Sequence, residues 1–365
     1  MSKHIENSGE FESLKVNDGI AMPDGIHQDA VRRFKKKRKP LLAVEEYFEG
    51  IRSGNRTILS KAITLVESSL SDHRAIAKQL IEKCLPHSGN SLRLGITGVP
   101  GVGKSTFIEG FGNHIIRQNR SIAVLAIDPS SQRSGGSILG DKTRMETLVN
   151  NPRAFVRPSP SAGSLGGVAQ KTRETIILCE AAGFDTILIE TVGVGQSEVA
   201  VHSMVDFFLL LMLGGAGDEL QGIKRGIMEM ADGIAVTKAD GDNLLRADRA
   251  RVELQNALHL FPLAESGWTP PVSLCSALKN TGIAELWDTI LDYHKFTLDN
   301  GYFLRKREQQ IRFWLHEAIQ QRLKESFYGK ESVQLALKKF EEASSEHMLN
   351  PFDAADELFK LYREE

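Results

Sequence analysis

Only three cysteines, Cys84, Cys179 and Cys275, occur in 365 residues. They are odd in number, far apart and flanked by apolar neighbours, which excludes a disulfide framework and predicts reduced, buried thiols in a cytosol-like compartment. Charge of one sign is lacking as well: 45 Lys and Arg face 47 Asp and Glu, a formal net charge of -2. No overall field therefore draws the chain to nucleic acid or an anionic membrane. Long hydrophobic runs are missing too. The longest, Phe207 to Leu213, falls far short of the roughly 20 residues of a membrane span and reads as a fully buried strand. The first residues carry Glu6, Glu10 and Glu12 with no apolar stretch, unlike a secretory signal or an acid-poor transit peptide. A cytoplasmic location is the expectation.

What is present divides the chain into four parts. Residues 1–40 are polar and end in the basic run Arg32 to Lys39, whose self-repulsion predicts a mobile tail; that run is either a solvated linker or an anion-binding arm. Over residues 41–88, Val44, Tyr47, Phe48 and Ile51, then Ile58, Leu59, Ala62, Ile63 and Val66, recur at intervals of three and four. That spacing predicts two or three amphipathic helices. Residues 89–297 alternate helical patterns with short apolar runs at Leu92–Thr97, Ala123–Ile127, Thr186–Glu190, Phe207–Leu213, Gly233–Thr237 and Val272–Cys275. Runs apolar on both faces predict an α/β domain with a mostly parallel sheet covered by helices, and ligands at the strand ends. Residues 298–365 return to helical periodicity, with Leu304, Ile311, Leu315, Ala318 and Leu323 on one stripe. Such a stripe packs on the sheet domain or joins a second copy, and a dimerisation arm is the sharper expectation.

Gly98-Val-Pro-Gly-Val-Gly-Lys-Ser105 fits G-x-x-x-x-G-K-[ST] between an apolar run and a helical one, the context of a phosphate-binding loop. Gly98, Val99, Pro100, Gly101, Val102 and Gly103 would aim backbone N–H groups at phosphate oxygens, with the helix N-terminus adding positive potential. Lys104 would reach the outer phosphates, Ser105 would offer its hydroxyl to Mg²⁺, and Thr106 continues the loop into the helix. Downstream, Thr237-Lys-Ala-Asp240 fits [NT]-K-x-D. A carboxylate at Asp240 accepts from the two adjacent N–H donors of guanine and suits adenine poorly. Lys238 would lay its stem along the base plane. The Thr237 hydroxyl can tie neighbouring loops together, and Ser276-Ala277-Leu278 resembles the last base-contacting loop. Asp128 and Glu190 end two apolar runs, as Mg²⁺ ligands beside phosphates do. Gly193 could bring its N–H to the terminal phosphate and move when that phosphate is lost; Gln196 is either a water-positioning residue or an ordinary loop residue.

The longer stretches Asp128 to Ser131, Ser134 to Met145, Glu190 to Glu198 and Gly54 to Glu67 closely resemble the methylmalonyl-CoA mutase-associated P-loop GTPases of the MeaB/ArgK type. That resemblance implies a fold of the signal-recognition and metallochaperone GTPase class with helical extensions. It implies a GTPase chaperone that docks on an acyl-CoA mutase, gates adenosylcobalamin loading, and protects or rescues that enzyme. The cobalamin would enter only through the mutase. It further implies a homodimer built on the C-terminal arm, and Asp128, Asp141 and Glu190 around Mg²⁺ with Ser105 as a direct ligand. Gly214 to Lys224 matches an additional mobile loop that communicates nucleotide state. Two rivals remain: a nickel or zinc delivery GTPase, although Cys84 and His87 are the sole close pair of its ligand types, and a kinase or transport-linked ATPase, which Thr237 to Asp240 disfavours.

Overall fold

The computed structural model describes residues 41–128, 145–160, 165–191, 197–214, 225–344 and 350–364. Seven parallel strands pair in the order β3-β2-β4-β1-β5-β6-β7. They are β1 (Leu92–Gly98), β2 (Ile122–Asp128), β3 (Ala154–Pro160), β4 (Thr186–Thr191), β5 (Phe207–Leu213), β6 (Gly233–Thr237) and β7 (Val272–Leu274). Six match the apolar runs of the sequence. The seventh, β3, escapes that reading because Pro158, Pro160 and Arg157 interrupt its pattern. Proline cannot donate to a ladder, and β3 tolerates two because it is an edge strand paired only with β2.

Successive strand residues point to opposite faces, and each face has its own helices. Leu94 and Ile96 of β1 and Leu209 and Leu211 of β5 join Phe107, Phe111 and Ile115 of α4 (Lys104–Arg117) and Leu286, Trp287 and Ile290 of α10 (Ile283–Asp299) in one core. The rings of Phe107 and Phe111 stack at 5.2 Å, and Trp287 meets Phe111 edge-on at 5.8 Å, so α10 fixes the helix that follows the glycine-rich loop. On the other face α7 (Ser197–His202) lies so close that a Cβ on Gly95 would meet Phe208 at 2.8 Å and Val201 at 3.0 Å. Beside α6 (Leu165–Ala181), three N-terminal helices cover the rest: α1 (Val44–Arg52), α2 (Arg56–Glu67) and α3 (Ser71–Cys84). The Asn55 side chain caps α2 by accepting from Thr57 N and Ile58 N. Arg157 of β3 pairs with Glu67 at the far end of that helix. The three cysteines are free and buried, and burial raises all three thiols.

At the N-terminal ends of the strands the chain is fastened by charge. Arg93 forks onto Glu180 (2.8 and 3.0 Å), and Glu180 also accepts from Ser91 Oγ (2.6 Å) and Gly89 N (2.7 Å). Asp206, in front of β5, accepts from Arg93 N and from both Nε and Nη2 of Arg307, each at 2.8 Å. Lys306 donates to Asp206 O (2.8 Å) and pairs with Asp232 (3.3 Å). Arg307 and Lys306 belong to α11 (Tyr302–Gly329), so the root of this 28-residue helix is fastened to the sheet. The apolar stripe is not what holds it: Leu304, Ile311, Leu315 and Leu323 of α11 all stand in solvent. Two more helices follow, α12 (Glu331–Ser344) and α13 (Pro351–Glu364), and the Phe327 ring of α11 packs 4.7 Å from Phe359. No described helix is long and apolar enough to cross a membrane.

Candidate nucleotide site

At the opposite, C-terminal ends of the strands, β1 runs into the loop Val99 to Gly103 and then α4. Two glycines there answer specific demands. A Cβ on Gly98 would stand 2.5 Å from Leu211 O, and Gly103 caps α4 in the left-handed region at φ +91°. Lys104 Nζ crosses the loop to the carbonyls of Gly98 (2.7 Å) and Val99 (3.3 Å). Burial lowers its pKa, and Glu190 and Glu198 work in the opposite direction. Ser105 Oγ stands 3.4 Å from Glu190 Oε1, and Glu190 is buried at the end of β4. Below them Thr191 Oγ1 donates to Thr97 Oγ1 at 2.8 Å and ties β4 to β1. A hydroxyl and a carboxylate side by side form an all-oxygen donor pair, the type that Mg²⁺ accepts.

Next to the loop lies a cavity of about 150 Å³ lined by Val102, Gly103, Thr106, Phe107, Thr237, Lys238, Asp240, Ser276, Ala277 and Leu278. The loops after β6 and β7 thus meet the phosphate-loop segment, as the sequence anticipates. Thr237 Oγ1 donates to Val102 O (2.9 Å), with Met212 O 3.2 Å away, and so joins the phosphate-loop segment to the ends of β5 and β6. Lys238 takes φ +54°, an uncommon conformation for a lysine. It is held by Asn243 Nδ2 donating to its carbonyl (2.8 Å), while its own Nζ reaches Gly101 O (2.9 Å). Its stem therefore spans the cavity, and a Cβ on Gly103 would lie 3.8 Å from Lys238 Cε. Ser276 Oγ donates to the Asp240 carboxylate and accepts from Lys279 N at 3.1 Å. Sequence reasoning names Ser276 but misses this pairing, which fixes the carboxylate's direction.

The backbone of Asp128 ends β2, but its side chain, Asp141, Gly193, Gln196 and residues 215–224 lie outside the described residues. Among the described residues no group of three or more His, Cys, Asp or Glu is placed to hold a metal ion. Cys84 ends α3, and Leu85–His87 is a single 3₁₀ turn.

Proteins of known sequence and structure resemble this chain over most of its length. GTPase ArgK of Escherichia coli is 47% identical over 286 residues, covering 78% of this chain and 86% of the relative. The mitochondrial methylmalonic aciduria type A homolog of Mus musculus is 44% identical over 330 residues, covering 88% and 80%. A crystal structure described as that of an LAO/AO transport system kinase superposes with a TM-score of 0.70 at 37% identity, covering 89% of this chain and all of that one. The family described as methylmalonyl-CoA mutase-associated GTPase MeaB matches residues 59–332. With a phosphate loop, a cavity lined by Thr237, Lys238 and Asp240, and that match over most of its length, the chain belongs to the MeaB family of GTPases.

Proposed function

We propose that this GTPase is the chaperone of an adenosylcobalamin-dependent acyl-CoA mutase of the methylmalonyl-CoA mutase type, and that its bound nucleotide gates cofactor loading and protects or reactivates that enzyme. The observation that carries the reading is the MeaB match across residues 59–332, supported by the mouse relative named for methylmalonic aciduria. Base choice rests on Asp240, which Ser276 orients to accept from the two N–H groups of guanine. Phosphate binding would draw Lys104 Nζ off the Gly98 and Val99 carbonyls, with backbone N–H groups of Val99 to Ser105 as further donors. Mg²⁺ would be held by Ser105 with Glu190, Asp128 and Asp141, and would neutralise charge between the outer phosphates. Gly193 and Gln196 are the proposed sensors of the terminal phosphate and the attacking water. Residues 41–88 and 298–365 would serve as helical extensions of a GTPase domain at 89–297. The outward stripe of Leu304, Ile311, Leu315 and Leu323 supports a homodimer through the C-terminal arm.

A ligand shifts a partner equilibrium only by its differential affinity for two states. The test is therefore the affinity of a cognate mutase for the protein loaded with GDP, with a non-hydrolysable GTP analogue, or with neither. Unequal affinities are expected; three equal values would remove the chaperone switch.

A further inference from the structure

Lys238 stands in the left-handed region at φ +54°, where a residue with a Cβ is disfavoured. Such a conformation persists only where its surroundings hold it. Asn243 supplies the hold. Its side chain donates from Nδ2 to Lys238 O at 2.8 Å, and its backbone N–H donates to Asp240 O at 3.0 Å. One residue thus grips the carbonyls on either side of Ala239, which is buried and whose own N–H donates to Cys275 O at 3.1 Å.

Asn243 stands at the head of α9 (Leu244–Leu258), where an asparagine ordinarily caps the helix by accepting from a first-turn N–H. Here its side chain makes no capping bond; the amide is turned back onto the loop. The cavity is lined by Lys238 and Asp240 but not by Asn243. Any influence on a bound base therefore passes through those two: Lys238, whose Nζ reaches Gly101 O, and Asp240, whose carboxylate accepts from Ser276.

We propose that Asn243 is a positioning residue for guanine: by holding the Lys238 carbonyl it keeps that lysine in its left-handed conformation, and so aims both the lysine stem and the Asp240 carboxylate at the base. The inference rests on the reading of Asp240 as the acceptor of the guanine N–H groups, and is independent of the mutase.

Asn243→Ala and Asn243→Asp separate this role from helix capping. Aspartate has nearly the shape of asparagine and caps helices as well, but its carboxylate has no N–H to give Lys238 O. Inosine diphosphate, which keeps the ring N–H of GDP and lacks its 2-amino group, is the matched probe. It carries the same phosphates, so the ratio of the two affinities cancels any repulsion from the added aspartate and does not depend on the fraction of folded protein. Calorimetry of the full chain with Mg²⁺ should show GDP preferred to inosine diphosphate by at least about tenfold, the worth of one hydrogen bond to a charged group. Both variants should bind GDP about tenfold more weakly and lower that ratio at least about threefold. An unaltered ratio in either variant would overturn the role of Asn243 while leaving the guanine contact standing. A native chain indifferent to the 2-amino group would instead remove the contact at Asp240, and this proposal with it.

Discussion

The two ends of the sheet are built on opposite principles. At the N-terminal end, Arg93, Glu180, Asp206 and Arg307 neutralise one another at fixed distances, with further backbone groups satisfying their remaining valences. At the C-terminal end, Lys104, Ser105, Lys238 and Asp240 rest on single carbonyl, hydroxyl or carboxylate groups of their own and neighbouring loops. Such bonds are individually modest, about 1.5–3 kcal/mol net for a charged partner, so a phosphate or a base can replace them. The base of the domain holds its shape without a ligand, whereas the mouth is arranged to exchange partners.

That contrast can be broken from either side. The largest effect belongs at the mouth: Lys104→Ala should reduce GTP hydrolysis by roughly 10²–10³-fold while leaving the melting temperature nearly unchanged. Phosphate release and a thermal melt check both halves, and undiminished turnover would contradict the loop assignment. At the base, Asp206→Ala leaves the half-buried Arg307 without its carboxylate and the buried Arg93 amide without its acceptor. It should cost about 3–5 kcal/mol of stability, read by denaturant unfolding, with nucleotide affinity in the surviving folded fraction little altered. Coupled losses of stability and affinity would mean that the two ends are not independent. Between them in place but smaller in effect, Thr237→Val removes the hydroxyl that joins Val102 O to the end of β6. A loss of about 1–2 kcal/mol is expected, with a few-fold weaker GDP binding by calorimetry.

A further effect concerns acid. His202 keeps a pKa of about 4 in the folded chain against an ordinary 6.5, chiefly through burial. The unfolded chain therefore binds more protons between those values. Its contribution to stability is complete above about pH 6.5 and is lost as pH falls towards 4. His202→Gln should flatten the stability profile over that window in urea titrations; an unchanged slope would show that the ring does not titrate this way.

Much of the mouth is legible in sequence because it is written in contiguous motifs. A glycine-rich turn between strand and helix, and Thr237 to Asp240 after an apolar run, carry their own geometry, and even the role of Thr237 as a tie follows from its hydroxyl. Ser276 is legible as a contact but not as the residue that orients Asp240, since that pairing spans two loops. The base is almost illegible. Arg307 and Asp206 stand 101 positions apart, and nothing local in either marks a partner. The same holds for α11: its periodicity advertises the apolar stripe, yet the helix is fastened through its polar face, by Lys306, Arg307 and Gln310. Edge strand β3 was hidden by prolines that only its position at the sheet edge permits.

Base selection tests the account most directly. Calorimetric competition among GDP, ADP and xanthosine diphosphate should find GDP strongly preferred by the native chain. In Asp240→Asn, GDP should weaken by roughly 10²-fold while xanthosine diphosphate gains. ADP competing as well as GDP, or a variant that keeps its preference for guanine, would contradict it.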